Sequence, residues 1–188
     1  MHRPGRPEAG FTLVEVLVAL VVFFIAIGGI YAVIVTQAQS SRLTNNFIQV
    51  QENARYAMER IVEEARWGDA VLAATGGALP SVTFDIPSSN PLMPGTAYTV
   101  TYGLSPKGTV QRTVTPQGGA PATADLASYV TGLTLAFYDN ATPTPTSLDI
   151  VSNPGLAPQV YRVSIGVTVT VGAQSRTFTS DVYLRNKP

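Results

Sequence analysis

Cysteine is absent from this 188-residue chain, and the one histidine is His2. The first absence excludes disulfides, a lipoprotein anchor and all thiol chemistry. With histidine confined to the second position, the chain beyond it cannot assemble a Ser-His-Asp or Cys-His arrangement. Metal-binding His/Cys spacings and Gly-rich phosphate loops are missing too. Glutamate stops early, since all six lie at or before Glu64. Beyond it the acids are Asp69, Asp85, Asp125, Asp139, Asp149 and Asp181, scattered at wide intervals. Glycoside chemistry would need two of them brought together in space; loops and turns explain them without that. Asp139-Asn140 and Asp149 carry oxygens of the kind calcium takes, and turn roles account for these as well. Lys107, Arg112, Arg162 and Arg176 are expected on a solvated face. The net charge is zero, so no global field favours nucleic acid or an anionic surface. The expectation is a protein that is not an enzyme and holds no cofactor and no metal.

What is present begins near the N-terminus. Arg3 and Arg6 precede Gly10, and from Phe11 to Val35 an apolar run follows in which Glu15 is the only charge. Those twenty-five residues make a helix of about 37 Å, enough to cross a hydrocarbon core of about 30 Å with some tilt. An ionised carboxylate near the middle of a membrane costs about 2.5–3.5 kcal/mol on insertion scales. Helix formation alone does not call for Glu15, so a partner is expected for it. Three plainer readings compete. A secretory signal could be cut near Thr36-Gln37-Ala38, but its apolar core runs to about 7–15 residues. A simple signal anchor fits the length and leaves Glu15 unexplained. A buried core helix rarely needs so long an uninterrupted apolar run. The basic residues before the run place the N-terminus in the cytoplasm by the positive-inside rule, and everything after Val35 outside it.

The helix is expected to continue. Leu43, Phe47, Val50, Ala54, Ala57 with Met58, Ile61 and Ala65 fall in steps of four and three, one stripe on a helix. Glu52, Arg55, Glu59, Arg60, Glu63 and Arg66 occupy the opposite face, with Arg55–Glu59 and Arg60–Glu64 at i,i+4 spacing. Such pairs contribute only about 0.2–0.5 kcal/mol each. No proline or glycine interrupts Ile30 to Trp67, and Gly68 is a natural stop. The stripe requires a sheet to cover it. Candidate strands are Ser81–Ile86, Ala97–Tyr102, Thr109–Val114, Val130–Tyr138, Gln159–Val171 and Ser175–Leu184. The last two alternate cleanly around a turn at Gly172-Ala173-Gln174. Pro87–Gly95, Pro116–Ala124 and Ala141–Pro158 are expected as loops, with the Thr142-Pro143-Thr144-Pro145-Thr146 stretch extended and mobile. The organisation is thus a leader at 1–10, a transmembrane helix at 11–35, its amphipathic continuation at 36–68 and a β-rich domain at 69–188.

Gly10-Phe11-Thr12-Leu13, Glu15 and the apolar tail resemble the N-terminal signal of type IV prepilins. The resemblance implies an α+β, pilin-like fold, a long N-terminal helix packed on an antiparallel sheet. It also implies cleavage by prepilin peptidase between Gly10 and Phe11 on the cytoplasmic side, then N-methylation of Phe11. Removing residues 1–10 takes away Arg3, Arg6 and Glu8 and leaves a net charge of −1. Thr12 and Glu15 become assembly residues, with Glu15 paired to the new amino group of a neighbouring subunit. Arg55-Tyr56-Ala57-Met58-Glu59-Arg60-Ile61, Glu64-Ala65-Arg66, Leu133 to Asp139 and Val182-Tyr183-Leu184-Arg185-Asn186 are similar to W-type minor pilins and J-type pseudopilins. Many major pilins carry a proline in the apolar helix, whereas this chain has Gly28-Gly29 there. The expected role is a low-copy subunit of a type IV pilus or type II secretion pseudopilus, anchored in the bacterial inner membrane. Its partners would be prepilin peptidase, other pilins or pseudopilins through the helix, and membrane lipid before assembly. The alternative is a pilin-mounted surface binder, an adhesin or a DNA-uptake component, the one reading that admits nucleic acid as a partner.

Overall fold

A computed structural model describes residues 12–141 and 143–184. The chain forms two compact units, Met1–Thr44 and Asn45–Pro188. One helix, α1 (Leu13–Trp67), has residues in both. In the first unit it is the only element among the described residues, and its apolar side chains from Leu13 to Val35 are exposed. It is long and apolar enough to cross a membrane.

The side chain of Leu43, first in the expected stripe, lies outside the described residues, and in the second unit the rest of the stripe faces inward where the spacing put it. Val50, Ala54, Ala57, Met58, Ile61 and Ala65 are buried and Phe47 is half-buried. The helix ends at Trp67, where the Gly68 N–H donates to Ala65 O at 3.0 Å. A side chain at Gly68 would press on the same oxygen at 3.1 Å and meet Leu184. Glycine therefore lets the chain leave the helix close against the sheet.

Among the described residues nine antiparallel strands follow, in two sheets instead of the single one expected. The first has the order β1 (Ala70–Thr75), β2 (Ser81–Ile86), β3 (Tyr98–Leu104), β4 (Val110–Pro116) and β5 (Ala122–Ala127). The second has the order β7 (Ser147–Leu148), β6 (Val130–Tyr138), β8 (Arg162–Val171) and β9 (Gln174–Tyr183). The chain changes sheet at Tyr129, whose φ of 59° is left-handed, a costly conformation for an aromatic residue. The turn is held by Val130 N–H to Gly108 O at 2.9 Å and Thr170 N–H to Tyr129 O at 3.1 Å. β6 therefore pairs with β8 and not with β5.

Both sheets and the helix stripe contribute to one core. Val82, Phe84, Ile86, Tyr98, Val100 and Tyr102 come from the first sheet, and Leu133, Phe137, Val163, Ile165, Val167 and Val182 from the second. Each large aliphatic or aromatic side chain buried this way contributes about 1.5–3 kcal/mol. β2 and β6 have the expected bounds. β8 starts at Arg162 and not Gln159, because Pro154–Gln159 winds into a 3-10 turn. β1 and β5 lie in stretches rich in alanine and threonine, without the alternation that marks a strand, and both pair across register shifts. β5 begins inside the expected Pro116–Ala124 loop, and two-residue β7 lies inside 141–158.

Candidate assembly site at the helix N-terminus

Thr12, Leu13, Val14 and Glu15 open α1 in the order threonine-x-x-glutamate. Thr12 immediately precedes the first helical residue, and Glu15 is the third residue of the helix. The Thr12 N–H donates to Glu15 Oε2 at 3.0 Å and the Thr12 hydroxyl donates to the same oxygen at 3.1 Å. The Glu15 N–H lies 3.3 Å from the Thr12 hydroxyl oxygen. This is a capping box, in which two side chains satisfy backbone donors that the first helical turn leaves open. Glu15 therefore has a local role in helix formation, contrary to the expectation that the helix makes no call on it. A carboxylate in the first turn also sits favourably against the helix dipole. The signal was present in the sequence as the three-residue spacing of Thr12 and Glu15. Gly10 and Phe11, the expected cleavage and methylation residues, lie outside the described residues.

The box uses one oxygen of Glu15. Both donors converge on Oε2, and among the described residues Oε1 accepts no hydrogen bond. Around the carboxylate the helix displays Val16, Ala19, Leu20 and Phe23, an apolar surface.

A second polar cluster lies in the other unit, and its burial corrects two expectations. The expected i,i+4 pair of Arg60 and Glu64 forms, but Glu64 is fully buried and not on the charged face. Arg112, expected on a wet surface, reaches across from β4 as a two-pronged partner. Its Nε donates to Glu64 Oε2 at 3.0 Å and its Nη2 to Oε1 at 2.5 Å. Arg60 adds a contact from its own helix at 2.9 Å, and the Tyr102 hydroxyl donates to Oε2 at 2.6 Å. Burial, and then the negative charge of Glu64, push the Tyr102 pKa well above its ordinary value. Burial lowers the Arg112 pKa, and the hydrogen bonds and charge of Glu64 more than offset this, leaving it raised. The Tyr98 hydroxyl is buried beside the cluster and makes no hydrogen bond of ordinary geometry among the described residues; burial and then Glu64 raise its pKa as well. Glu64 could have been found from the sequence, because it continues the steps Ala54, Ala57 and Ile61 by three.

The remaining candidates have structural occupations. The Asp139 carboxylate accepts from the Thr146 N–H at 2.7 Å and the Ala141 N–H at 3.1 Å, and these bonds lower its pKa. They tie Thr146 and Ala141 to one carboxylate at the end of β6. Asp149 accepts from the Ser152 N–H at 3.1 Å, with the same effect on its pKa. These are turn roles. No cluster of metal-ligating side chains occurs among the described residues. Arg162 stacks on the Tyr138 ring at 4.1 Å and pairs with Asp181 at 3.6 Å. Arg176 donates to Gln51 Oε1 at 3.2 Å and thereby ties β9 to the helix.

The model of a family described as the prokaryotic N-terminal methylation motif matches residues 5–31, the stretch that contains Gly10, Phe11, Thr12 and Glu15. No curated protein matches the chain. The motif suggests a structural subunit rather than an enzyme, and with the apolar helix found among the described residues it fits membrane anchoring. A long N-terminal helix followed by antiparallel sheets is an α+β arrangement consistent with the pilin fold. Together the motif and this arrangement support a type IV pilin-like protein.

Proposed function

We propose that the chain is a minor pilin or pseudopilin, a low-copy assembly subunit of a type IV pilus or a type II secretion pseudopilus. Prepilin peptidase cuts between Gly10 and Phe11 in the inner membrane, and the new N-terminus at Phe11 is methylated. Residues 11–35 then anchor the subunit, with the β-rich domain outside the cytoplasm. The observation that carries this reading is a methylation-motif match that spans a lone carboxylate in an exposed apolar helix. In a single subunit Glu15 is held by its own Thr12. In a filament its other oxygen receives the charged amino group of Phe11 from a neighbouring subunit. Each charge is costly alone in lipid, and together they neutralise one another and set the axial offset between adjacent helices. Cleavage is the first step to test. Gly10→Val puts a branched side chain where the peptidase must meet a bare backbone, and intact mass of membrane-extracted protein should show the leader retained. Normal removal of ten residues from that variant would sink the reading.

A further inference from the structure

Among the described residues the two sheets end in β1, β5, β7 and β9, and β7 covers only Phe137 and Tyr138 of its neighbour β6. A free edge is a template for another strand, and proteins usually blunt it with proline, lysine, a bulge, short length or a covering element. β1 carries a register shift and packs against the 3-10 turn at Pro154–Gln159. β7 has only two residues. β9 has ten residues, no proline, no lysine and no register shift against β8. Its hairpin turns on two residues, Gly172 (φ 61°) and Ala173, so Val171 and Gln174 form the closing pair. Alternation from that pair turns the N–H and C=O groups of Ser175, Thr177, Thr179, Asp181 and Tyr183 outward. No loop or turn bond among the described residues takes these groups. β5 is another open edge, six residues without lysine or proline, whose one register shift against β4 lies near its end.

The strand directions decide which copy of which edge can meet β9. Arg176 near the start of β9 bonds Gln51, and Gly68 just beyond the helix lies against Leu184 just beyond β9, so β9 runs with the helix. β5 ends beside the Tyr129 turn, which bonds Thr170 next to the hairpin where β9 begins. β5 therefore runs against β9. Pairing β9 with β9 of a second copy would need a two-fold axis that points the two Asn45–Trp67 helix segments in opposite directions. Pairing β9 with β5 of a second copy gives an antiparallel ladder with both helix segments pointing the same way.

We propose that the β9 edge takes the β5 edge of a second copy, as a head-to-tail contact between neighbouring subunits. The outer faces match in chemistry. On β5 the Thr123 hydroxyl pairs with Thr113 at 2.8 Å, and on β9 the Thr177 hydroxyl pairs with Thr168 at 2.8 Å. Each threonine row stops at an open edge, and joining the edges brings the two rows together. A six-residue ladder is too short to hold free domains together, so the contact relies on the high effective concentration that anchored helices supply. It therefore rests on the filament-subunit reading, although two adjacent copies suffice.

Because the chain has no cysteine, introduced cysteines report the contact directly. Two full-length chains of different tagged size are co-expressed, one with Thr123→Cys and the other with Ser175→Cys, Thr177→Cys or Thr179→Cys in turn. Membranes are then oxidised, and Val18→Cys in both chains serves as a parallel report of helix packing. Directly opposed strand residues lie within disulfide range. The expected result is a mixed-size dimer for at least one pair and none from the β9 variants alone. A Tyr183→Pro change, at an outward N–H that proline tolerates, should lower that dimer at least tenfold while the helix cross-link persists. Helix cross-links without any mixed dimer would overturn the edge contact and leave the filament reading standing. Absence of both would overturn both, and equally strong β9–β9 dimers would replace the proposed pairing with a symmetric one.

Discussion

Glu64 and Arg112 stand 48 residues apart in sequence and meet through two hydrogen bonds between helix and sheet. The carboxylate is wholly buried, and the arginine side chain keeps 19% of its exposure. A buried ion pair is weak evidence of net stabilisation, since desolvation offsets most of the attraction. Removing one partner is another matter, because it strands the other charge. The pair, with Tyr102 and Arg60, therefore acts mainly on where the helix sits against the first sheet.

The second unit should fold without the apolar half of the helix. A chain lacking residues 1–38 retains Val50 to Ala65 together with both sheets that bury them. It is expected to be soluble, monomeric and cooperative in urea, with mixed helix and strand signals by circular dichroism. An unfolded or purely aggregated product would contradict the packing described here.

In that truncated chain, Glu64→Ala should lower unfolding stability by about 3–5 kcal/mol, the typical cost of stranding one partner of a buried pair. The double variant Glu64→Leu with Arg112→Leu should recover most of the loss. Urea midpoints at constant slope measure both. A double variant as unstable as the single one would show that the pair contributes more than its own desolvation.

Alkaline pH provides a separate test of the cluster. Burial and the charge of Glu64 raise the Tyr102 pKa above its ordinary value of 10.0, and Tyr98 shifts the same way. Below pH 10 both states keep these protons and stability is unaffected. Above it the unfolded chain loses a proton that folded Tyr102 retains, so stability falls by about 1.4 kcal/mol per pH unit from that tyrosine, with Tyr98 acting in the same direction. Tyr102→Phe should make that fall shallower between pH 10 and 12, measured by urea titration.

At the N-terminus the prediction separates capping from assembly. Thr12→Ser keeps a hydroxyl acceptor and should leave incorporation unchanged. Glu15→Val should be processed, inserted and folded normally, yet be missing from sheared filaments. Quantitative immunoblots of the filament and membrane fractions decide it. A Glu15→Val chain in filaments at wild-type level would remove the carboxylate from assembly and leave it a capping residue only.

The sequence by itself determined the features that depend on local order and periodicity. The apolar run with one carboxylate marks the N-terminal segment, the steps of four and three mark the face that is buried, and the β8–β9 alternation marks its hairpin. Threonine-x-x-glutamate at the start of α1 was legible in the same way, since a capping box is made by neighbours within one turn. Tertiary structure alone decided the rest. Ala70–Thr75 and Ala122–Ala127 are strands because β2 and β4 offer them hydrogen bonds, not because their small residues favour extension. Two sheets form because the chain turns at Tyr129, a non-glycine left-handed residue that no local propensity predicts. Arg112 is a partner of Glu64, and not a surface charge, because strand pairing brings it beneath a helix that ends 45 residues earlier. Long-range pairing is not written in any short window of sequence, because its free energy comes from burying groups that only the folded chain brings together.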